Sequence, residues 1–208
     1  MTREDLIKKV IVKIEEVSPF EHDEDLLAIS YTPDSNVKPI RAYIDQTLDE
    51  ACNDVLSIVP LHLIKPTNFL KDAQVEDGYV RLPKDFLRLY AIRFAEWERE
   101  VNIPIVPTNP LYKLQWNKYT QGKPTKPVCA LNTNEKGEKV LEYWSVRTST
   151  TLVKAQYVAR FNDMFIQSDL ADLYATMTAI KVLDILGDTN GSKVLTQEFE
   201  NTVKSKIL

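Results

Sequence analysis

Residues 79–101 read YVRLPKDFLRLYAIRFAEWEREV, and the period within them decides the fold class. From Phe86 to Phe94 apolar side chains fall on both faces, which suits a doubly buried strand; the same letters also make a buried helix, and periodicity does not separate the two. The aromatic and branched content favours the strand. The stretches that follow, NPLYKLQWNKYTQGKPTKPVCAL at 109–131 and VLEYWS at 140–145, are again apolar, aromatic and rich in turn formers. All three tryptophans, Trp97, Trp116 and Trp144, lie in this middle part, and no catalytic constellation accompanies them. Such a region is built to pack or to dock.

Further strands are expected at 128–131, 140–146 and 152–161, with Asn132 to Gly137 as a hairpin turn between the first two. In the last of them Val153, Ala155, Tyr157, Ala159 and Phe161 alternate with Lys154, Gln156 and Arg160, which predicts one core face and one wet face. Residues 68–78 read as loop.

Outward from this centre the period changes to that of helices. Thr2 and Asp5 form a capping-box pattern, and Leu6, Ile7, Val10, Ile11, Ile14 and Val17 follow at steps of three and four until Pro19. Residues 18–39, with three prolines and the run Glu21-His22-Asp23-Glu24-Asp25, read as a connector. A second helix is expected from about Pro39 to Pro60, its apolar face made of Ile40, Ile44, Leu48, Cys52, Val55, Leu56 and Val59. Ser168 is placed as the N-cap of a third, strongly apolar helix that Gly187 ends, and this helix should be the most buried of all. After Asp188-Thr189-Asn190-Gly191 a last helix carries Leu195, Phe199, Val203 and Ile207 at four-residue spacing. Helices, then strands, then helices predict an α+β protein, mainly a helical bundle (1–75 and 163–208) with a β-rich insertion (76–162).

Composition narrows the function classes. The chain has 208 residues, 44% hydrophobic and 27% charged, enough for one folding unit with an excursion. No stretch approaches the roughly 20 apolar residues of a membrane span, and MTREDLIKK carries charges where a signal peptide needs an apolar run, so a soluble protein is expected. A formal charge of -4 argues against a protein that coats phosphates nonspecifically. Cys52 and Cys129 match no metal or redox spacing and read as buried thiols. With five glycines and neither GxxxxGK[ST] nor GxGxxG, phosphate-cradling loops are missing. His22 and His62 stand without the neighbours of a catalytic triad, the acidic run at 21–25 lacks the spacing of a calcium loop, and Asp188 to Gly191 reads as a helix-to-helix turn. No enzyme, no metal and no cofactor is expected.

Three candidate surfaces remain. Tyr112, Trp116 and Tyr119 interleave with Lys113 and Lys118, which fits an aromatic anchor for a protein partner better than a platform for single-stranded nucleic acid. The stripe Leu195, Phe199, Val203, Ile207 and Leu208 at the chain end, beside Lys204 and Lys206, reads as packing within the chain or as a docking surface, and docking onto a neighbour is the expectation. Asp45 and Asp49, an i,i+4 pair on the polar side of the second helix with Glu50 beside it, read as a solvated face or as carboxylates lining a channel that DNA passes without sticking.

The arrangement Leu82-Pro83-x-Asp85-Phe86-x-Arg88-Leu89, a Trp about one strand later, Asn109-Pro110-x-Tyr112 followed by Lys126-Pro127-Val128, and a closing Leu141-Glu142-Tyr143-Trp144 resembles the head-to-tail adaptors of short-tailed bacteriophages. These are also called tail tubular protein A-like connectors or ring proteins, and the chain looks closest to the branch in crAss-like phages of gut Bacteroidales. The likeness covers about residues 79–187, and the N-terminal helices only in pattern. It supplies the second ground for reading 86–94 as a strand. It implies a virion structural protein, a ring of typically twelve subunits beneath the portal protein, joined below to a further tail ring or tail tube. Double-stranded DNA would pass through it without specific binding. The expected location is the virion, with the host cytoplasm before assembly. The alternatives are a tail ring further from the portal and a nucleic-acid-processing factor.

Overall fold

A computed structural model describes residues 1–17, 40–146 and 151–207, with the backbone alone at Ile207. The connector at 18–39, with His22 and the acidic run, lies outside the described residues, as does Leu208. In chain order the elements are α1 (Arg3–Val17), α2 (Ile40–Ile58), β1 (Thr67–Asn68), β2 (Val75–Glu76), β3 (Tyr79–Arg81) and β4 (Phe86–Phe94). They continue with α3 (Pro110–Leu114), β5 (Cys129–Thr133), β6 (Lys139–Tyr143), β7 (Leu152–Ala159), α4 (Ala171–Leu186) and α5 (Thr189–Ile207). The protein is α+β, with helices at both ends and strands in the middle. Two units divide the chain, a helical one of residues 1–64 and 161–208 and a β-rich one of 65–160.

The helical unit is arranged around α4. Ten of its residues are buried, among them Leu173, Tyr174, Ala179, Val182 and Leu183, and it lies against α1, α2 and α5. A helix that is apolar nearly all round needs neighbours on several sides, each fully buried Leu or Ile contributing about 1.5–3 kcal/mol. α1 starts in the reciprocal cap its sequence encodes: Asp5 N–H donates to Thr2 Oγ1 at 3.2 Å, and Thr2 N–H donates to Asp5 Oδ2 at 3.0 Å. It turns Leu6, Ile7, Val10 and Ile14 inward, and α2 does the same with Ile44, Leu48, Cys52 and Val55.

Gly187 ends α4 at φ +81°, where Asp188 N–H reaches back to the Leu183 carbonyl at 3.0 Å. The start of α4 differs from the sequence expectation. Ser168 opens a short 3-10 turn, Ser168–Leu170, and no side chain caps α4, because that turn feeds straight into the helix. α5 also begins earlier than expected, at Thr189, since Asp188 Oδ1 accepts from Gly191 N–H at 2.9 Å and caps it.

In the β unit, two antiparallel sheets, ordered β1-β7-β4 and β2-β3-β6-β5, supply one core. Phe86, Leu89, Ile92, Phe94, Ala155 and Tyr157 come from one sheet, and Val80, Cys129, Leu141 and Tyr143 from the other. Aromatic contacts dominate it: Phe69 meets Tyr157 edge-on at 5.4 Å, and Phe94 touches Trp97 at 4.8 Å and Tyr143 at 4.5 Å. Asp85 accepts from the Tyr157 hydroxyl at 2.9 Å, and burial followed by this carboxylate holds the phenol above its ordinary pKa.

Four expectations about this region are corrected. Residues 65–75 belong with the strands, because Thr67 and Asn68 pair with Tyr157 and Gln156. The presumed loop at 68–78 holds β2, paired with β3. β4 is a strand, as expected, and its residues are buried or half-buried except for the exposed Arg93; register shifts interrupt its pairing with β7. Along β7 strict alternation fails: Ala155 and Tyr157 are buried, but so is Val158, while Val153 is exposed. The shift between Arg93 and Phe94 puts an extra residue on β7 at Val153 and accounts for its exposure, while the other two put theirs on β4, at Leu87 and Tyr90. Phe161 leaves the sheet altogether and packs edge-on against Tyr174 in the helical unit.

Candidate functional site: an exposed aromatic and basic surface

Residues 109–127 form a knob with little regular structure, and its hold comes from local polar contacts. Asn109 Oδ1 accepts from Leu111 N–H at 2.9 Å and caps α3, whose first residue is Pro110. Gln115, buried, donates through Nε2 to the Leu111 carbonyl at 3.0 Å and accepts at Oε1 from Gly122 N–H at 2.8 Å. Thr120 Oγ1 donates to the Leu114 carbonyl at 2.7 Å. Gly122 has no room for a side chain, since a Cβ there would lie 2.8 Å from Ser145 Oγ and 3.0 Å from the Val128 nitrogen. A tight Lys123–Lys126 turn closes the segment, Lys126 N–H donating to the Lys123 carbonyl at 2.8 Å.

On this base stand three rings. Tyr112, Trp116 and Trp144 meet edge to face in every pairing, at 5.8–6.4 Å between centroids. Tyr112 is fixed from below: its hydroxyl donates to Glu142 at 2.8 Å, and Asn132 Nδ2 donates to the same carboxylate at 2.9 Å. Burial, then Glu142, raises the Tyr112 pKa, so the phenol keeps the proton that this bond requires. Trp116 is 69% exposed and Tyr119 78%, against 2% for Trp97 in the core of the same unit. Lys118 Nζ sits 5.0 Å from the Tyr119 ring centroid. Lys113, Lys118, Lys123 and Lys126 are all exposed, and among the described residues none of them has an ion-pair partner. An exposed Trp in a braced segment whose charged side chains are all lysines has the chemistry that suits a partner surface both apolar and acidic.

The structure therefore brings Tyr112 and Trp116 together and places Tyr119 nearby. Sequence reading missed Trp144, Asn132 and Glu142, which reach the cluster only through strand pairing of β5 with β6. Lys123 and Lys126 were legible: no acidic residue occurs from 109 to 127.

The other candidates change character. Leu195, Phe199 and Val203 are buried within the helical unit, where α5 packs against α4, so they are core and are not offered to a neighbour. The side chains of Ile207 and Leu208 lie outside the described residues. Asp45 and Asp49 are not free carboxylates. Arg3 reaches Asp49 and Asp163 at 2.7 Å each and Asp45 at 3.9 Å, and Arg41 approaches Asp45 at 3.9 Å. His62 is exposed in the turn Leu61–Leu63. Cys52 and Cys129 are buried, and burial pushes both thiols up, which keeps them unreactive. Among the described residues no three His, Cys, Asp or Glu side chains gather to hold a metal ion, and no helix is long and apolar enough to cross a membrane. Compared with models of protein families and with curated proteins, the chain matches none.

Proposed function

We propose that the chain is a structural protein of a phage virion, a head-to-tail connector subunit that forms a ring below the portal, joins capsid to tail and leaves a channel for the genome. The observation that carries the reading is the braced, exposed Trp116 in a segment whose charged side chains are all lysines, a feature suited to stable contact with another protein. It stands in the segment whose motifs resemble those of phage connectors. The two-unit plan, a bundle of terminal helices and a β unit between them in sequence, also fits a subunit that touches different neighbours with different parts. A ring that threads DNA has to avoid binding it, and the formal charge of -4 is compatible with that.

The test is quantitative mass spectrometry on purified virions, with cross-linking to the portal. Copy number close to that of the portal subunit, with direct portal cross-links, is the expected result. Cross-links only to lower tail components would place the chain in a ring further down. Absence from virions would overturn the reading.

A further inference from the structure

We infer that successive copies of this chain join head to tail, the basic aromatic knob at 109–127 of one β unit seating on the carboxylate-rich side of α2 in the next copy. The inference deepens the connector reading and rests on it for closure of the contacts into a ring. Its basis is a charge division between the two units. Residues 1–64 and 161–208 carry ten basic and twenty acidic side chains, a formal −10; residues 65–160 carry sixteen basic and ten acidic, a formal +6. A chain of modest total charge is thus two oppositely charged bodies.

The division is local as well as global. On the exposed side of α2, Glu4, Asp45, Asp49 and Asp163 share two guanidiniums, those of Arg3 and Arg41. Glu50 and Asp54 share Lys181, each at 2.7 Å. Six carboxylates on three cations leave an acidic excess held in fixed positions. The knob has the opposite excess, four lysines and no acid from 109 to 127. The rings of Tyr112, Trp116 and Trp144 are turned edge to face onto one another and do not form the parallel row of ring faces on which successive nucleic acid bases stack. An acidic protein surface suits the knob better. A contact between two different patches of one chain is heterologous, and such contacts repeat around a ring when the rotation closes.

Two charge-reversed full-length chains test the inference, K113E/K118E in the knob and E50K/D54K on α2, with circular dichroism to show that each is folded. Sedimentation velocity at about 50 mM and about 500 mM salt, where screening differs severalfold, reads self-association. The wild type should associate at low salt and do so less at high salt. Each variant alone should associate at least about tenfold more weakly, since reversing two of the four knob lysines leaves that segment without net charge and reversing Glu50 and Asp54 removes the acidic excess beside α2. An equimolar mixture of the two should regain assembly, because the unaltered knob of the α2 variant meets the unaltered α2 of the knob variant, and the carboxylates introduced at 113 and 118 meet the lysines introduced at 50 and 54. W116A should weaken association without changing its salt dependence. A monomeric wild type, association unchanged by both reversals, or a mixture of folded variants that stays apart would each overturn the inference. So would a salt-sensitive affinity of the wild type for a single-stranded oligonucleotide, lost in K113E/K118E, without self-association. These results are separable from the connector reading: a chain present in virions that assembles through other surfaces sinks this inference alone, and one that assembles as described yet is absent from virions sinks the connector reading.

Discussion

The helical unit and the β unit are similar in size but are held together by different chemistry. Around α4 the buried groups are mainly aliphatic, Leu6, Ile44, Leu48, Val55, Leu183 and Leu195, with Tyr174 and Phe199 as the large exceptions. The β unit is centred on rings, Phe69, Phe86, Phe94, Trp97, Tyr143 and Tyr157. Geometry explains the contrast. Helices present narrow stripes at three- and four-residue steps that aliphatic side chains fill with few voids, whereas two small sheets with short strands leave wide gaps that only large side chains close. The consequence is that the β unit depends on fewer, larger contacts. It also spends one aromatic cluster on its surface, at Trp116, where the helical unit buries Leu195, Phe199 and Val203 of its last helix and leaves Phe165 exposed.

The sharpest way to break the comparison is Tyr157→Asp. This residue contacts Phe69 and Phe86 and is buried, so a carboxylate there should cost about 4 kcal/mol or more. All three tryptophans lie in the β unit, so their fluorescence should report its loss while helical circular dichroism at 222 nm persists. Simultaneous loss of both signals would show that the two units fold as one.

Leu195→Ala addresses the other unit. With Leu195 fully buried, the cavity should cost about 3 kcal/mol, seen as a lower denaturant midpoint at 222 nm with tryptophan fluorescence little changed. A neutral result would return the α5 stripe to a docking role. Gly187→Ala should cost about 1–2 kcal/mol by the same measurement, because φ is +81° there and a Cβ disfavours that conformation even with open space around it.

Lys154→Asp sharpens the contrast within the β unit. It removes an ion pair with Glu100 at 2.7 Å that is partly exposed, so the loss should stay below about 1 kcal/mol. Effects of equal size at 154 and 157 would mean that the faces of β7 are wrongly assigned.

The helices were legible because their information is local. Thr2 with Asp5, the apolar steps in α1, α2 and α5, and Gly187 each act within one or two turns of chain. The N-terminus of α4 was not, since Ser168 was free to cap a helix or to open a 3-10 turn. Strands β4 to β7 were legible in position only, and the short β1 and β2 were not. The inward residues of β4 and β7 depend on where their pairing shifts, and that pairing joins residues far apart in the chain, Phe86 with Ala159 and Phe94 with Leu152, so the local period does not say where the shifts fall. The candidate site divides in the same way: Tyr112, Trp116 and Tyr119 could be picked from composition, but not Trp144 or the Glu142 and Asn132 that brace Tyr112.

The sequence by itself determined the α+β class, the order of the four long helices and of strands β4 to β7, the buried state of Cys52 and Cys129 and the basic aromatic character of the knob, because period, capping and composition act over a few residues. Tertiary structure alone decided which apolar stripe is core and which aromatics stay in solvent. It turned the α5 stripe onto α4, set Arg3 among three carboxylates from α2 and Asp163, and left Trp116 exposed beside a buried Trp97. An apolar side chain attracts any apolar surface, so its partner is fixed only when the whole chain has chosen how to cover the most area at once.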